Sequence, residues 1–278
     1  MTKKEKMIDL FKKHPKHRNS KIADLAGVST RYARMVKAEM ISAARESLTT
    51  KVVTNKKKRV LVISDLHIPF EHPKALAHCK KLYKEYNCDT VVCIGDVVDQ
   101  HAASRFASEL EAMNVKDELE ATKKALKPWI EAFPVLKLCL GNHDKIGPRQ
   151  AKTVGIPEEY LKTFNQLYDL PDTWECAKTH EIDGCVYDHG VGSAGIYGAK
   201  NTAMKMGVSF IQGHTHQHGG VNYMARYDGK TIFGLNVGCL VSSGTYGTAY
   251  AADYRGKVTL GAGVVIEGEY GIFVPLNE

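Results

Sequence analysis

The sequence predicts an α/β domain over residues 59–278, preceded by a small all-α module over residues 1–45 and a linker at 46–58. Short apolar runs, RVLVIS, TVVCI and VLKLCL, alternate with helical stretches, the pattern of buried parallel strands. Each of these runs leads, directly or through one glycine, into Asp or Asn. Charge is partitioned as well. Residues 1–60 hold 17 Lys/Arg against 5 Asp/Glu, although the 278-residue chain carries only +7. A basic arm of this kind suits contact with a polyanion.

Composition narrows the class. Hydrophobic residues at 44% and charged residues at 25% match a soluble globular protein and exclude a disordered, collagen-like or rod-like chain. No apolar run reaches the roughly 18 residues of a membrane span. The basic N-terminus lacks the apolar core of a secretory signal, so the expected compartment is the cytoplasm, with no membrane partner. The seven cysteines are odd in number and form no C-x-x-C pair, which argues for reduced, buried thiols.

From the N-terminus, Met7, Ile8, Leu10 and Phe11 mark one apolar face of a helix over residues 3–13, interrupted at His14-Pro15. Asn19 and Ser20 are candidate caps for a helix over Lys21–Ala26. A further helix runs from Thr30 to about Arg45. The string KIADLAGVSTRYARMVKAEM resembles a helix-turn-helix, with small Ala23, a turn glycine at Gly27, and Val28 and Val36 packing the pair. Arg31, Tyr32, Arg34 and Lys37 then fall on the outer part of the second helix, the one offered to a DNA major groove. The same unit can instead dock a protein partner or a second copy of the chain. Residues 46–58 lack helical periodicity and end in a Lys-rich run.

In the second domain, Arg59–Ser64 reads as a strand ending in Asp65-Leu66-His67, followed by a helix over Pro73–Tyr86. Thr90–Ile94 ends in Gly95-Asp96-Val97-Val98-Asp99, and a long amphipathic helix covers about 107–131. Val135–Leu140 ends in Gly141-Asn142-His143-Asp144. Cys185–Tyr187 leads into Asp188-His189-Gly190, and Val208–Gln212 into Gly213-His214-Thr215-His216. The tail from 219 to 278 reads as hairpins. Five strands thus deliver Asp, Asn or His at their C-terminal ends, the edge where α/β sheets place ligands. Such donors, with no thiolate among them, suit Mn²⁺, Fe, Zn²⁺ or Ni²⁺. A carboxylate shared by two such cations clamps a phosphoryl group and activates water.

Taken in order, D-x-H, G-D-x-x-D, G-N-H-D, D-H-G and G-H-T-H resemble the calcineurin-like metallophosphoesterases over about residues 59–240. The resemblance implies a four-layer αββα sandwich and two divalent cations, Mn²⁺ foremost. It implies that Asp65, His67 and His216 hold one cation, that Asn142, His189 and His214 hold the other, and that Asp96 bridges them. It also implies that His143 protonates the leaving oxygen, oriented by Asp144, and that Asp99 supports a ligand by hydrogen bond. Many members carry Arg after the second acidic residue of G-D-x-x-D, where this chain has Gln100. Arg105 and Arg149 are candidate contacts for substrate phosphate.

Three function classes follow. One is a nuclease or phosphodiesterase whose helix-turn-helix contacts DNA. A second is a hydrolase of small phosphoesters, cyclic nucleotides or phosphomonoesters, whose basic module docks elsewhere. The third, a DNA-binding protein using an inert metal core, is disfavoured by the complete ligand set.

Overall fold

The computed structural model describes residues 2–14, 17–50, 57–104, 112–242 and 258–277, with backbone only for 41–50. Arg105 lies outside these residues. The chain divides into two compact units, Met1–Lys56 and Lys57–Glu278.

The first unit contains helices α1 (Lys3–Lys13), α2 (Asn19–Ala26) and α3 (Thr30–Thr50). A capping box starts α1: the Glu5 amide donates to Thr2 Oγ1 at 3.2 Å and the Thr2 amide to Glu5 Oε2 at 2.7 Å. Asn19 and Ser20 are not caps. They lie inside the first turn of α2, and Arg18, at the cap position, makes no side-chain cap bond. Ser29 caps α3 instead, accepting from the Tyr32 amide at 3.2 Å. Gly27 ends α2 in the left-handed region, with φ +65°. Met7, Phe11, Ile22, Ala23, Ala26, Ala33 and Val36 form the core, with Val28 packed against it. Ala33 is fully buried, so its small side chain is what lets the helices close there. Helix α3 also enters the expected linker and continues to Thr50, because no Gly or Pro interrupts residues 30–50.

The second unit holds two sheets. The first has the order β11-β10-β1-β2-β3-β4 and the second β5-β6-β7-β9-β8. The strands are β1 (Arg59–Ile63), β2 (Thr90–Cys93), β3 (Leu136–Cys139), β4 (Trp174–Ala177), β5 (Thr179–Ile182), β6 (Cys185–Asp188), β7 (Ser209–Gln212), β8 (Gly219–Ala225), β9 (Thr231–Val237), β10 (Gly261–Ile266) and β11 (Tyr270–Pro275). Strands β1 to β4 run parallel, as do β6, β7 and β9. Their C-terminal ends therefore share one edge in each sheet.

Strand alternation builds the layers. Leu61 and Ile63 face α4 (Ala75–Glu85), α5 (Val115–Ala132) and α7 (Phe164–Tyr168), in a core with Leu82, Leu126, Trp129 and Tyr168. Val60 and Val62 face the other way and meet Tyr187, Ile211, Phe233 and Leu235 of the second sheet. The outer face of that sheet packs Val186, Phe210 and Ile232 on Ala199 and Ala203 of α8 (Gly198–Met206). Each Leu, Ile, Val or Phe side chain so buried contributes roughly 1.5–3 kcal/mol. The result is the αββα sandwich implied by the resemblance. The long helix expected from about 107 begins at Val115, where Asn114 Oδ1 accepts from the Lys116 and Asp117 amides at 3.0 and 3.1 Å. Strands β4 and β5 carry no clear period-2 pattern and are not legible in the sequence. All seven cysteines are free, and six are buried. Among the described residues no helix is long and apolar enough to cross a membrane.

Candidate metal centre

The ligand-bearing loops are fixed to one another by their backbones. The Asp65 amide donates to the Gly95 carbonyl at 3.1 Å, the His67 amide to the Asp96 carbonyl at 3.0 Å, and the Leu240 amide to the Asp65 carbonyl at 3.1 Å. The loop after β7 comes to the same place: the His214 amide donates to Asp65 Oδ2 at 2.9 Å. Gly213 permits this approach, since a Cβ there would overlap Ser64 Oγ and Asp65 Oδ2.

Three overlapping groups of donor atoms result, the third made of His67, Asp96 and His143. In the first, His216 Nε2 lies 2.9 Å from Asp65 Oδ1 and 3.2 Å from His67 Nε2. In the second, His189 Nε2 lies 3.1 Å from Asp96 Oδ2 and 3.0 Å from Asn142 Oδ1, and His214 joins Asp96 and His189. Asp96 Oδ2 is also 3.9 Å from His67 Nε2, so this carboxylate stands between the clusters. Asp65, His67, Asp96, His189 and His216 are buried, while Asn142, His143 and His214 line the partly open side.

The surrounding contacts differ in part from the expected roles. Asp99 Oδ1 lies 2.6 Å from His67 Nδ1. It also holds His143, whose Nδ1 is 2.7 Å from the Asp99 carbonyl oxygen and 3.2 Å from its Oδ1. Asp144 does not take that part. Its Oδ2 accepts from the Asp96 and Gly141 amides at 2.8 Å each, and its Oδ1 from the Val98 amide at 3.2 Å. Asp144 is thus a staple between the loops after β2 and β3, and the ring of His143 is oriented by Asp99. The exposed Arg149 donates from Nη2 to the Asn142 carbonyl at 2.8 Å, beside a donor residue.

In the first unit, Arg31 and Arg34 are exposed on α3, whereas Tyr32 is half-buried against the three-helix core. Lys37 is drawn inward too, its Nζ 5.5 Å from the centroid of the Phe11 ring. Sequence reasoning missed Glu118, a buried carboxylate on α5 that accepts from the His101 and Ala102 amides at 2.9 and 2.7 Å. Its only sequence signal is an acidic residue on the apolar face of an amphipathic helix.

Charge follows geometry. Burial pushes the Asp65 carboxyl up, but the neighbouring His216 outweighs it and holds Asp65 down at about 2. Asp96 and Asp99 are likewise held well below the usual range against burial, Asp96 chiefly by His189 and Asp99 by His143 and His67. Burial opposes a proton on His143, yet Asp99 and Asp96 raise it to about 9. The centre therefore presents ionised carboxylates and imidazoles converging within 4.8 Å in each group, with no sulfur donor. That set suits divalent cations: Asp65, His67 and His216 could hold one, and Asp96, His189 and His214, with Asn142 beside them, could hold another. When bound, such a pair polarises a phosphoryl group and supplies an activated water at neutral pH.

The calcineurin-like phosphoesterase family model matches residues 58–218, more than half of the 278-residue chain. The Gene 54 protein of Mycobacterium phage L5 is 31% identical over 209 residues, covering 66% of this chain and 80% of the phage protein. The Gene 54 protein of Mycobacterium phage D29 is 28% identical over 215 residues, with the same coverage of 66% and 80%. Among solved structures, Vacuolar Protein Sorting 29 from Cryptosporidium parvum aligns with a TM-score of 0.39 at 12% identity, over 76% of this chain and 86% of that one. Yfce, a phosphoesterase from E. coli, aligns with a TM-score of 0.36 at 15% identity, over 74% and 87%. On the extent of the family match, the chain belongs to the calcineurin-like phosphoesterase family.

Proposed function

We propose that the protein is a dinuclear-metal phosphodiesterase that cleaves DNA, with its N-terminal unit contacting DNA as a helix-turn-helix. The metal-dependent phosphoester hydrolase is the family's chemistry. The DNA substrate rests on one observation, the partition of charge between the two units. Residues 1–56 carry 14 Lys/Arg against 5 Asp/Glu, and residues 57–278 carry 24 against 26. A catalytic unit without basic excess gains little non-specific affinity for a polyanion on its own. The first unit offers that affinity through exposed Arg31 and Arg34 on α3, a helix set against α2 by the Gly27 turn.

In this reading Asp65, His67, Asp96, Asn142, His189, His214 and His216 would hold the cations, and through them the scissile phosphodiester. His143 carries its proton at the partly exposed edge of the centre and gives it from Nε2 to the departing oxygen. Asp99 holds Nδ1–H and so leaves Nε2 as the nitrogen that gives up its proton. Proton transfer of this kind is typically worth 10²–10⁴-fold in rate. Mn²⁺ is the first cation to supply, and the cytoplasm is the compartment consistent with reduced thiols.

Supercoiled plasmid incubated with protein and Mn²⁺ tests the proposal, with Asp96→Asn in parallel. Nicked or linear product from the wild type alone is the expected result. The second reading is a hydrolase of small phosphoesters whose N-terminal unit docks to a protein or a second copy. It is favoured by Leu25 and Met35, large apolar side chains that are 49% and 48% exposed in that unit. Intact plasmid together with hydrolysis of a chromogenic diester selects the second reading over the first.

A further inference from the structure

Gln100 lies outside every ligand cluster, yet both ends of its side-chain amide are hydrogen-bonded. Its Nε2 donates to the Asp144 carbonyl at 3.0 Å, and its Oε1 accepts from the Gly147 amide at 2.8 Å. Gly147 belongs to the first turn of α6 (Ile146–Thr153), whose own cap residue, Lys145, makes no side-chain cap bond. Gln100 thus caps α6 from across the site. It does so from a left-handed backbone, φ +54°. A Cβ at Gly147 would stand 3.1 Å from Gln100 Oε1, so the clasp closes tightly on that turn.

The residues on either side give this clasp a purpose. Asp99 grips the His143 ring at Nδ1, while Gln100 grips the carbonyl of the residue that follows His143. The His143 amide is itself tied to Asp96 Oδ1 at 2.8 Å. The base of the clasp is anchored separately: Glu118 accepts the next two amides, and Gln150 Nε2 donates to the Ala103 carbonyl at 3.2 Å.

We propose that Gln100 is a positioning residue for proton donation: the Asp99-Gln100 dipeptide holds the ring and the following peptide of His143 together, and so sets the direction of Nε2. This rests on the reading that His143 protonates the leaving oxygen. A group displaced by about 1 Å from its reactive geometry can lose on the order of 10²-fold in rate. That loss falls on substrates that need the proton. An aryl diester with a p-nitrophenolate leaving group needs it little, and one with a phenolate leaving group needs it more.

The test compares turnover of bis(p-nitrophenyl) phosphate and diphenyl phosphate by the Mn²⁺-loaded full chain. Gln100→Met keeps the length and removes both bonds. Gln100→Glu keeps the acceptor for Gly147 and loses the donor to Asp144, so it leaves α6 capped and guards against a folding artefact. His143→Ala is the reference. The expected result is that both Gln100 variants raise the p-nitrophenyl-to-phenyl kcat ratio about 10- to 100-fold, in the direction of His143→Ala, with KM little changed. If His143→Ala raises the ratio and the Gln100 variants do not, Gln100 only caps a helix and the proposal is overturned. If His143→Ala leaves the ratio unchanged, the donor reading itself fails, and the positioning proposal with it.

Discussion

Replacing Asp144 separates two roles for a carboxylate beside a general acid. It is 2% exposed and accepts three backbone amides, from Asp96, Gly141 and Val98. Asp144→Ala strands all three. A buried donor left unpaired costs about 1–3 kcal/mol, so the loss is about 3–9 kcal/mol, a large part of a typical folding free energy of roughly 5–15 kcal/mol. Asp144→Asn is milder. Its carbonyl can keep the two partners of Oδ2, but its amide nitrogen then faces the Val98 N–H, a donor against a donor. One unsatisfied amide, about 1–3 kcal/mol, lowers the melting temperature of a unit this size by about 2–12 °C. Circular dichroism melts of wild type, Asp144→Asn and Asp144→Ala at saturating Mn²⁺ measure the series, with diester turnover recorded on the same samples below the melt. The staple predicts graded melting with Ala below Asn below wild type. Unchanged melting of Asp144→Asn with strongly slowed turnover would refute it and return Asp144 to orienting His143.

Other outcomes follow from the same geometry. Saturating the centre with Mn²⁺ at about 100 times its Kd should stabilise the second unit by roughly 2.7 kcal/mol, seen as a melt that falls on adding chelator and becomes indifferent to it in Asp96→Asn. Gly27→Ala meets no neighbour within 4 Å, so its cost is conformational, about 1 kcal/mol. Faster hydrogen exchange at the α2–α3 junction should report it, with diester turnover unchanged. Under the DNA reading, Arg31→Ala with Arg34→Ala should lower the slope of log Kd against log salt by about 2, as fluorescence anisotropy on a duplex would show. An unchanged slope would mean that α3 does not meet phosphate.

The strands that carry donors were legible because two properties coincide in them. RVLVIS, TVVCI and VLKLCL are apolar enough to be buried on both faces, and each runs, directly or through one glycine, into a polar tip. The Gly27 turn was legible because only glycine takes φ +65° without cost. Other features are set by tertiary contact and leave little trace in sequence. Ser29 rather than Asn19 acts as a cap because the chain turns at Gly27-Val28, which makes Ser29 the first residue of the next turn. Asp144 follows His143 directly, so adjacency pointed to the ring, yet its carboxylate turns back to amides some 46 to 48 residues earlier in the chain. Periodicity places Lys37 on the outer part of α3, but its Nζ lies 5.5 Å from the centroid of the Phe11 ring, a contact no helical wheel for α3 alone can contain.

The least legible property is the backbone at the donors themselves. Asp65, His67, Asp96, His214 and His216 all have positive φ, between 34° and 66°. For residues with a Cβ this conformation costs of order 1 kcal/mol or more each, and local propensity gives no hint of it. The neighbours over-determine it. The Asp65, His67 and His214 amides are each held by a specific acceptor, and the carbonyl of Asp65 by Leu240. Left-handed residues two apart, Asp65 with His67 and His214 with His216, bend the chain out of the extended course of the strands that precede them. Asp65, His67 and His216 can then converge on one point. The D-x-H and H-x-H spacings therefore carry information only in combination with a loop that abandons the strand geometry just before it. The free energy spent on those conformations is recovered from the buried sandwich beneath them, and a cation pair that binds only the folded loops adds to it.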